Sequence, residues 1–250
     1  MKSALGCALA LALAVPLSAA YADLVRIPTL FNTGVDANGN PLPDGTLGDP
    51  HYTLESVPSP SSSQIVVYQS SGGSPIGPWA GDDSLSAWIA PNNPDNRNTT
   101  DLSASPAGRY YYETTFDLTG FDLSTVEIYG AWAADDDGAD IILNGVQLYG
   151  IVTSRTIGAQ NYDQLNTFNY YYTDSNGQVQ EEVNAPITSG FVQGINTLVF
   201  RVDNASGPTG FRDELIGLGD PIPEPASLGL LGVGLVGWAA ARRGQRARCT

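Results

Sequence analysis

The sequence predicts an all-β protein, a sandwich of antiparallel sheets, on three observations. Short runs rich in Val, Ile, Thr, Tyr and Phe recur between Gly, Pro, Asn and Asp about every ten residues. Within those runs apolar and polar residues alternate, the period of a strand with one buried and one wet face. No segment between Asp23 and Asp220 keeps a helical period over any useful length.

In chain order, the first half is loop-heavy, with Thr33–Asp49 and Ser56–Ser63 crowded by Gly, Pro, Asn and Ser. Strands are expected there at Leu24–Leu30, Ile65–Gln69 and Leu85–Ile89. In Arg109–Asp117, Tyr110, Tyr112, Thr114 and Phe116 share one face, opposite Glu113 and Asp117. In Thr125–Ala133, Val126, Ile128 and Trp132 alternate with Thr125, Glu127 and Tyr129. Asn144-Gly145 between Ala139–Leu143 and Val146–Ile151 suits a type I′ hairpin turn, which needs positive φ at both central residues. Thr197–Asp203 points Leu198, Phe200 and Val202 inward, and Phe211–Ile216 closes the set. Antiparallel strands with one wet face pack as two sheets.

The ends differ in kind from this body. Lys2, an apolar run from Ala4 to Leu17 and Ala20-Tyr21-Ala22 read as a signal peptide over residues 1–22. Residues 221–250 form a tail: Pro223-Glu224-Pro225, the uncharged run Leu228–Ala241, then Arg242, Arg243, Arg246 and Arg248. As a helix, residues 228–241 would span about 21 Å against a hydrocarbon core of about 30 Å, short for a permanent anchor. The arginine-rich end at 242–248 holds that side in the cytoplasm. Between the ends lies one expected domain, residues 23–220. Cys7 and Cys249 lie outside it, so it has no disulfide and no thiol nucleophile.

Charge excludes one class of partner. The whole chain is −15; without Lys2 and the four tail arginines, six arginines face 26 acidic residues, about −20. Such a surface disfavours nucleic acid, whose phosphates need cationic neutralisation.

Two family resemblances follow from these residues. Pro223, Glu224 and Pro225, the run Leu228–Ala241, and Arg242 and Arg243 resemble the PEP-CTERM sorting signal of Gram-negative bacteria. It implies a precursor tethered to the inner membrane, processing near the triplet by an exosortase, and a mature form at the cell surface or in the extracellular matrix. Trp132-Ala133, Asp140–Gly145 and Phe191–Val202 resemble the galactose-binding-domain-like jelly roll, over about Tyr110–Gly217. That implies a jelly-roll β-sandwich of a kind found in carbohydrate-binding modules and in proteins with structural roles only.

Candidate sites are few. Trp79 and Trp88, with Asn96 and Arg97 in the loop that follows, are the candidate saccharide-binding residues, provided the rings are exposed; Trp88 also fits a core position between Ala87 and Ile89. Asp135, Asp137 and Asp140 form the densest acidic cluster and are the candidate ligands of a structural Ca²⁺, which takes oxygen donors. Asp36–Pro41 has proline where a calcium loop needs glycine, so it reads as a turn. His51 sits in a turn-like loop with no G-x-S-x-G elbow in the chain, and no catalytic residue is assigned. The expectation is an exported, non-catalytic surface or matrix protein that binds extracellular polysaccharide, with a purely structural protein or a carbohydrate-active hydrolase as alternatives.

Overall fold

A computed structural model describes residues 24–69, 79–93, 104–148, 162–173, 175–176 and 178–222. The expected signal peptide, Asn96, Arg97 and the tail from Pro223 onward lie outside the described residues. Thirteen strands follow in order: β1 (Val25–Arg26), β2 (Tyr52–Ser56), β3 (Ile65–Tyr68), β4 (Trp88–Pro91), β5 (Gly108–Asp117), β6 (Glu127–Asp135), β7 (Asp137–Leu143), β8 (Val146–Gln147), β9 (Asn166–Thr167), β10 (Asn169–Thr173), β11 (Val179–Val183), β12 (Ile195–Asn204) and β13 (Gly210–Gly219). The described helical content is a single 3-10 turn at Leu123–Thr125. No described helix is long and apolar enough to cross a membrane.

The strands form two antiparallel sheets and a separate hairpin, β10-β11. The first sheet runs β3-β4-β13-β6-β9, with β1 also on β13; the second runs β2-β5-β12-β7-β8. Along one edge, β13 pairs with β4 at Phe211 and with β1 at Leu218 and Gly219. Between those points the chain from Ile27 to Thr33 supplies its partners, beginning with the Ile27 N–H donating to Gly217 O at 2.9 Å. The expected strand Leu24–Leu30 is therefore cut to two residues, because a turn at Pro28-Thr29 breaks it. Leu85–Ile89 moves to Trp88–Pro91: Asp83 Oδ1 accepts the N–H groups of Leu85 (2.7 Å) and Ser86 (3.3 Å), and that turn delays the strand.

One core fills the space between the sheets. Tyr112 and Phe200 from the second sheet meet Phe211 from the first at ring-centre distances of 5.0 and 4.8 Å. Trp132 packs against Phe200 at 5.4 Å. The inward sets expected on β5, β6 and β12 are all buried. A second apolar layer, Val66, Tyr68, Trp79, Ala80, Trp88, Ala90 and Ala133, covers the outside of the first sheet. Burial on both faces explains the unbroken apolar runs Ile65–Tyr68 and Trp88–Pro91, whereas β5 and β12 alternate because one face of their sheet is wet. The hairpin turn forms as expected, with φ of 51° at Asn144 and 79° at Gly145.

Tyr112 carries a buried hydroxyl that has no hydrogen-bond partner among the described residues. Deleting an unpaired buried polar atom removes a desolvation cost, so Tyr112→Phe is expected to melt no lower than the parent. Phe200→Ala, in the same core, is expected to lose about 3–5 kcal/mol. Urea unfolding of both variants checks the contrast.

Candidate functional site

The densest polar arrangement gathers around β13, whose centre reads Phe211-Arg212-Asp213-Glu214-Leu215. Alternation sends Phe211, Asp213 and Leu215 toward the core and Arg212 and Glu214 to the outer layer. Both Arg212 and Asp213 are fully buried. Arg212 donates from Nε to Ser86 Oγ at 2.7 Å, from Nη1 to Gly81 O at 2.6 Å, and from Nη2 to Asp83 and, at 3.2 Å, to Glu214 Oε1. A buried guanidinium is tolerated only when paired in this way. The Ser86 hydroxyl in turn donates to Glu214 Oε1 at 3.0 Å.

On the inner side, Asp213 accepts from the Thr33 N–H at 3.0 Å and lies 2.7 Å from the Tyr52 hydroxyl. That hydroxyl is also 3.0 Å from Phe31 O. A phenol has one proton to donate, so both contacts are satisfied when a protonated Asp213 donates to the phenol oxygen and the phenol donates to Phe31 O. Burial pushes the Asp213 carboxyl well up, in keeping with that arrangement. Beside it, Asp49 accepts the N–H groups of Gly34 (2.6 Å), His51 (2.7 Å) and Tyr52 (3.0 Å), with burial again raising its pKa. The His51 ring stacks on Phe31 with centres 3.7 Å apart and planes 7° apart, and its Nε2 lies 3.3 Å from Asp36 O. These groups bind loop to strand. The expected turn at Asp36 forms around its own carboxylate, which accepts from the N–H groups of Asn38 and Asn40.

The sequence-based site residues land elsewhere. Trp79 and Trp88 are buried, 6% and 0% exposed, so the expected open platform is replaced by an internal stack with ring centres 4.4 Å apart. Their indole N–H groups donate to Asp135 Oδ2 at 2.7 Å and Ala80 O at 3.0 Å. Asn96 and Arg97 lie outside the described residues. The acidic cluster does not converge. Asp135 faces Trp79 outside the first sheet, while Asp140 faces Arg201 Nη1 at 3.6 Å outside the second, and Asp137 opens β7 opposite Asp203. Among the described residues no group of three His, Cys, Asp or Glu side chains is placed to hold a metal ion.

The two asparagine motifs do meet. Asn144 Nδ2 donates to Asn196 Oδ1 at 2.8 Å and Asn144 Oδ1 accepts the Thr197 N–H at 2.9 Å. Asn196 is fully buried and closes its own loop through Val192 O and Gly194 O. The motifs therefore staple the hairpin to the start of β12, a role in the fold.

Sequence reasoning missed the Arg212–Asp213 pair and the polar loop contacts around it. One signal was present: the charged triplet Arg212-Asp213-Glu214 inside the expected strand Phe211–Ile216.

Past β13 the fold closes within three residues, with Pro221 bridged to Phe121 and the Ile222 N–H donating to Gly120 O at 2.7 Å. The expected sorting triplet follows at once. Residues 221–243 match the family described as the PEP-CTERM protein-sorting motif. This is an exported protein sorted through its C-terminal segment. The PEP-CTERM motif implies a membrane-associated precursor processed by an exosortase. No curated protein matches the chain.

Two measurements check the electrostatics of the body. Burial and the neighbouring Asp136 carboxylate push Asp135 up to about 8, and burial also raises Asp49, Asp140, Asp213 and Glu214. A carboxyl raised in the folded state holds its proton more tightly than in the unfolded chain. Stability should therefore fall as pH rises from about 4, the unfolded value, to about 8. Thermal melts across that range should show the decline. Trp fluorescence should change near pH 8 in the parent and stay flat there in Asp135→Asn, since the Trp79 N–H faces that carboxyl. Because Asp135 and Asp140 face opposite sides and no described group of three acidic side chains is placed to hold a metal ion, calcium should shift the melting temperature no more than magnesium does.

Proposed function

We propose that the exported protein is a non-catalytic component of the cell surface or extracellular matrix of a Gram-negative bacterium, with a jelly-roll body that meets extracellular polysaccharide. The non-catalytic part rests on one observation: the carboxylates best placed for chemistry, Asp49, Asp135, Asp213 and Glu214, each join a loop to a strand. Glycoside hydrolysis needs two carboxyl groups facing one another across an open cleft. The jelly-roll reading is supported by the path of the chain, which changes sheet from β4 to β5, β5 to β6, β6 to β7 and β12 to β13. The polysaccharide reading is supported by the destination that the sorting motif implies and by the resemblance of the asparagine motifs to carbohydrate-binding jelly rolls.

A second reading, a matrix protein with no glycan affinity, is favoured by the burial of Trp79 and Trp88, which removes the aromatic platform from solvent. Cell fractionation of the full chain and of a chain lacking residues 223–250 tests the destination. The full chain should reach the surface or matrix, and the truncated one should not accumulate there. Retention of the surface protein on a glycan array separates the two readings: binding to one or more polysaccharides supports the first, and none across the array supports the second.

A further inference from the structure

Beside β13 the N-terminal segment leaves a cavity of about 390 Å³, lined among others by Arg26, Leu30, Phe31, Leu85 and Leu215. Small-molecule sites run about 300–1,000 Å³, so this one suits a single ring-sized group with its substituents. The walls are held in place. Asn32 donates to Leu85 O at 3.0 Å and accepts the Leu215 N–H at 2.7 Å, fixing both leucine backbones. Phe31 is braced from behind by the His51 ring at 3.7 Å, which keeps it from collapsing into the space. The lining is mixed: Ile27, Val35 and Leu215 are buried, Asn32 and Asn38 add polar surface, and Leu85 stands 54% exposed.

The charge at this cavity runs against the rest of the surface. Among the described arginines, Arg109 and Arg201 face Asp203, and Arg212 faces Asp83 and Glu214. Arg26 faces no carboxylate among the described residues, and it is exposed on β1. In a body where six arginines meet 26 acids, a cation left unneutralised beside a cavity is unusual. A guanidinium pairs with a planar carboxylate through two parallel hydrogen bonds, which favours an organic acid over a neutral ligand. Leu30, Phe31 and Leu85 add apolar surface that a small inorganic anion would leave unused.

We infer that this cavity binds a carboxylate-bearing sugar ring of the uronic acid class, its carboxylate on Arg26 and its apolar face on Leu30, Phe31 and Leu85. The inference rests on the polysaccharide reading above and names the ligand class for it. The test is calorimetry on the full-length chain in detergent, with trigalacturonate, neutral galactotriose and hexanoate as probes. Trigalacturonate is expected to bind with a Kd below about 1 mM, at least tenfold more tightly than either other probe. Arg26→Gln should weaken it at least tenfold, and so should Leu85→Asp, which sets a like charge at the mouth. Both positions are exposed, and unchanged melting temperatures will show that the variants fold. The inference is overturned if trigalacturonate does not bind, if Arg26→Gln leaves its affinity unchanged, or if hexanoate binds as tightly. Array retention that survives Arg26→Gln would reject this site and leave the polysaccharide reading standing, whereas no retention by the parent rejects both.

Discussion

Strand β13 buries an arginine on one face and an aspartate on the other, at adjacent positions. Neither can lie in an apolar layer without partners, since a buried guanidinium charge and a buried carboxyl both cost free energy when unpaired. The partners come from segments distant in sequence. Gly81, Asp83 and Ser86 close around Arg212, and Thr33 and Tyr52 close around Asp213. The loop-heavy first half of the chain is thereby drawn onto the sandwich, although it has few ladder hydrogen bonds of its own. The cavity beside Arg26 is a product of the same constraint, because Phe31 and Asn32 are positioned by what Thr33 and Tyr52 must reach.

The two sheets meet water differently. The second sheet keeps one wet face, where Arg201 bridges Asp140 and Asp203. The first sheet is covered outside by Trp79 and Trp88, and Gly210 is needed there, since a Cβ at that position would come within 2.6 Å of the Trp79 ring. Coverage turns residues suited to binding into packing. It also strands the Asp135 carboxyl away from solvent beside an indole, so that Asp135 holds its proton toward neutral pH.

The sorting segment begins where the described sandwich ends. Pro221 and Ile222 are the last described residues tied to the sandwich, and the Pro223-Glu224-Pro225 triplet begins one residue later. Cleavage near the triplet would leave the ladders and the β13 contacts intact.

The sequence alone determined β5, β6, β7, β12 and β13, the inward faces of β5, β6 and β12, the Asn144-Gly145 turn and the sorting motif. Each of these is written locally, as alternation, a turn pair or a contiguous pattern. Tertiary structure decided the rest. Period-two alternation tells which side of a strand is apolar, but not whether the far side of the sheet is covered, so Trp79 and Trp88 looked available and are not. Adjacency in sequence suggested that Asp135, Asp137 and Asp140 share a site, yet the chain changes sheet between β6 and β7 and carries Asp135 and Asp140 to opposite outer faces of the sandwich. In the other direction, Thr33 and Tyr52 lie 180 and 161 positions from Asp213, and the three act as one unit. Only the packing of two sheets brings such residues together, because the burial that makes their hydrogen bonds necessary does not exist until the sandwich closes.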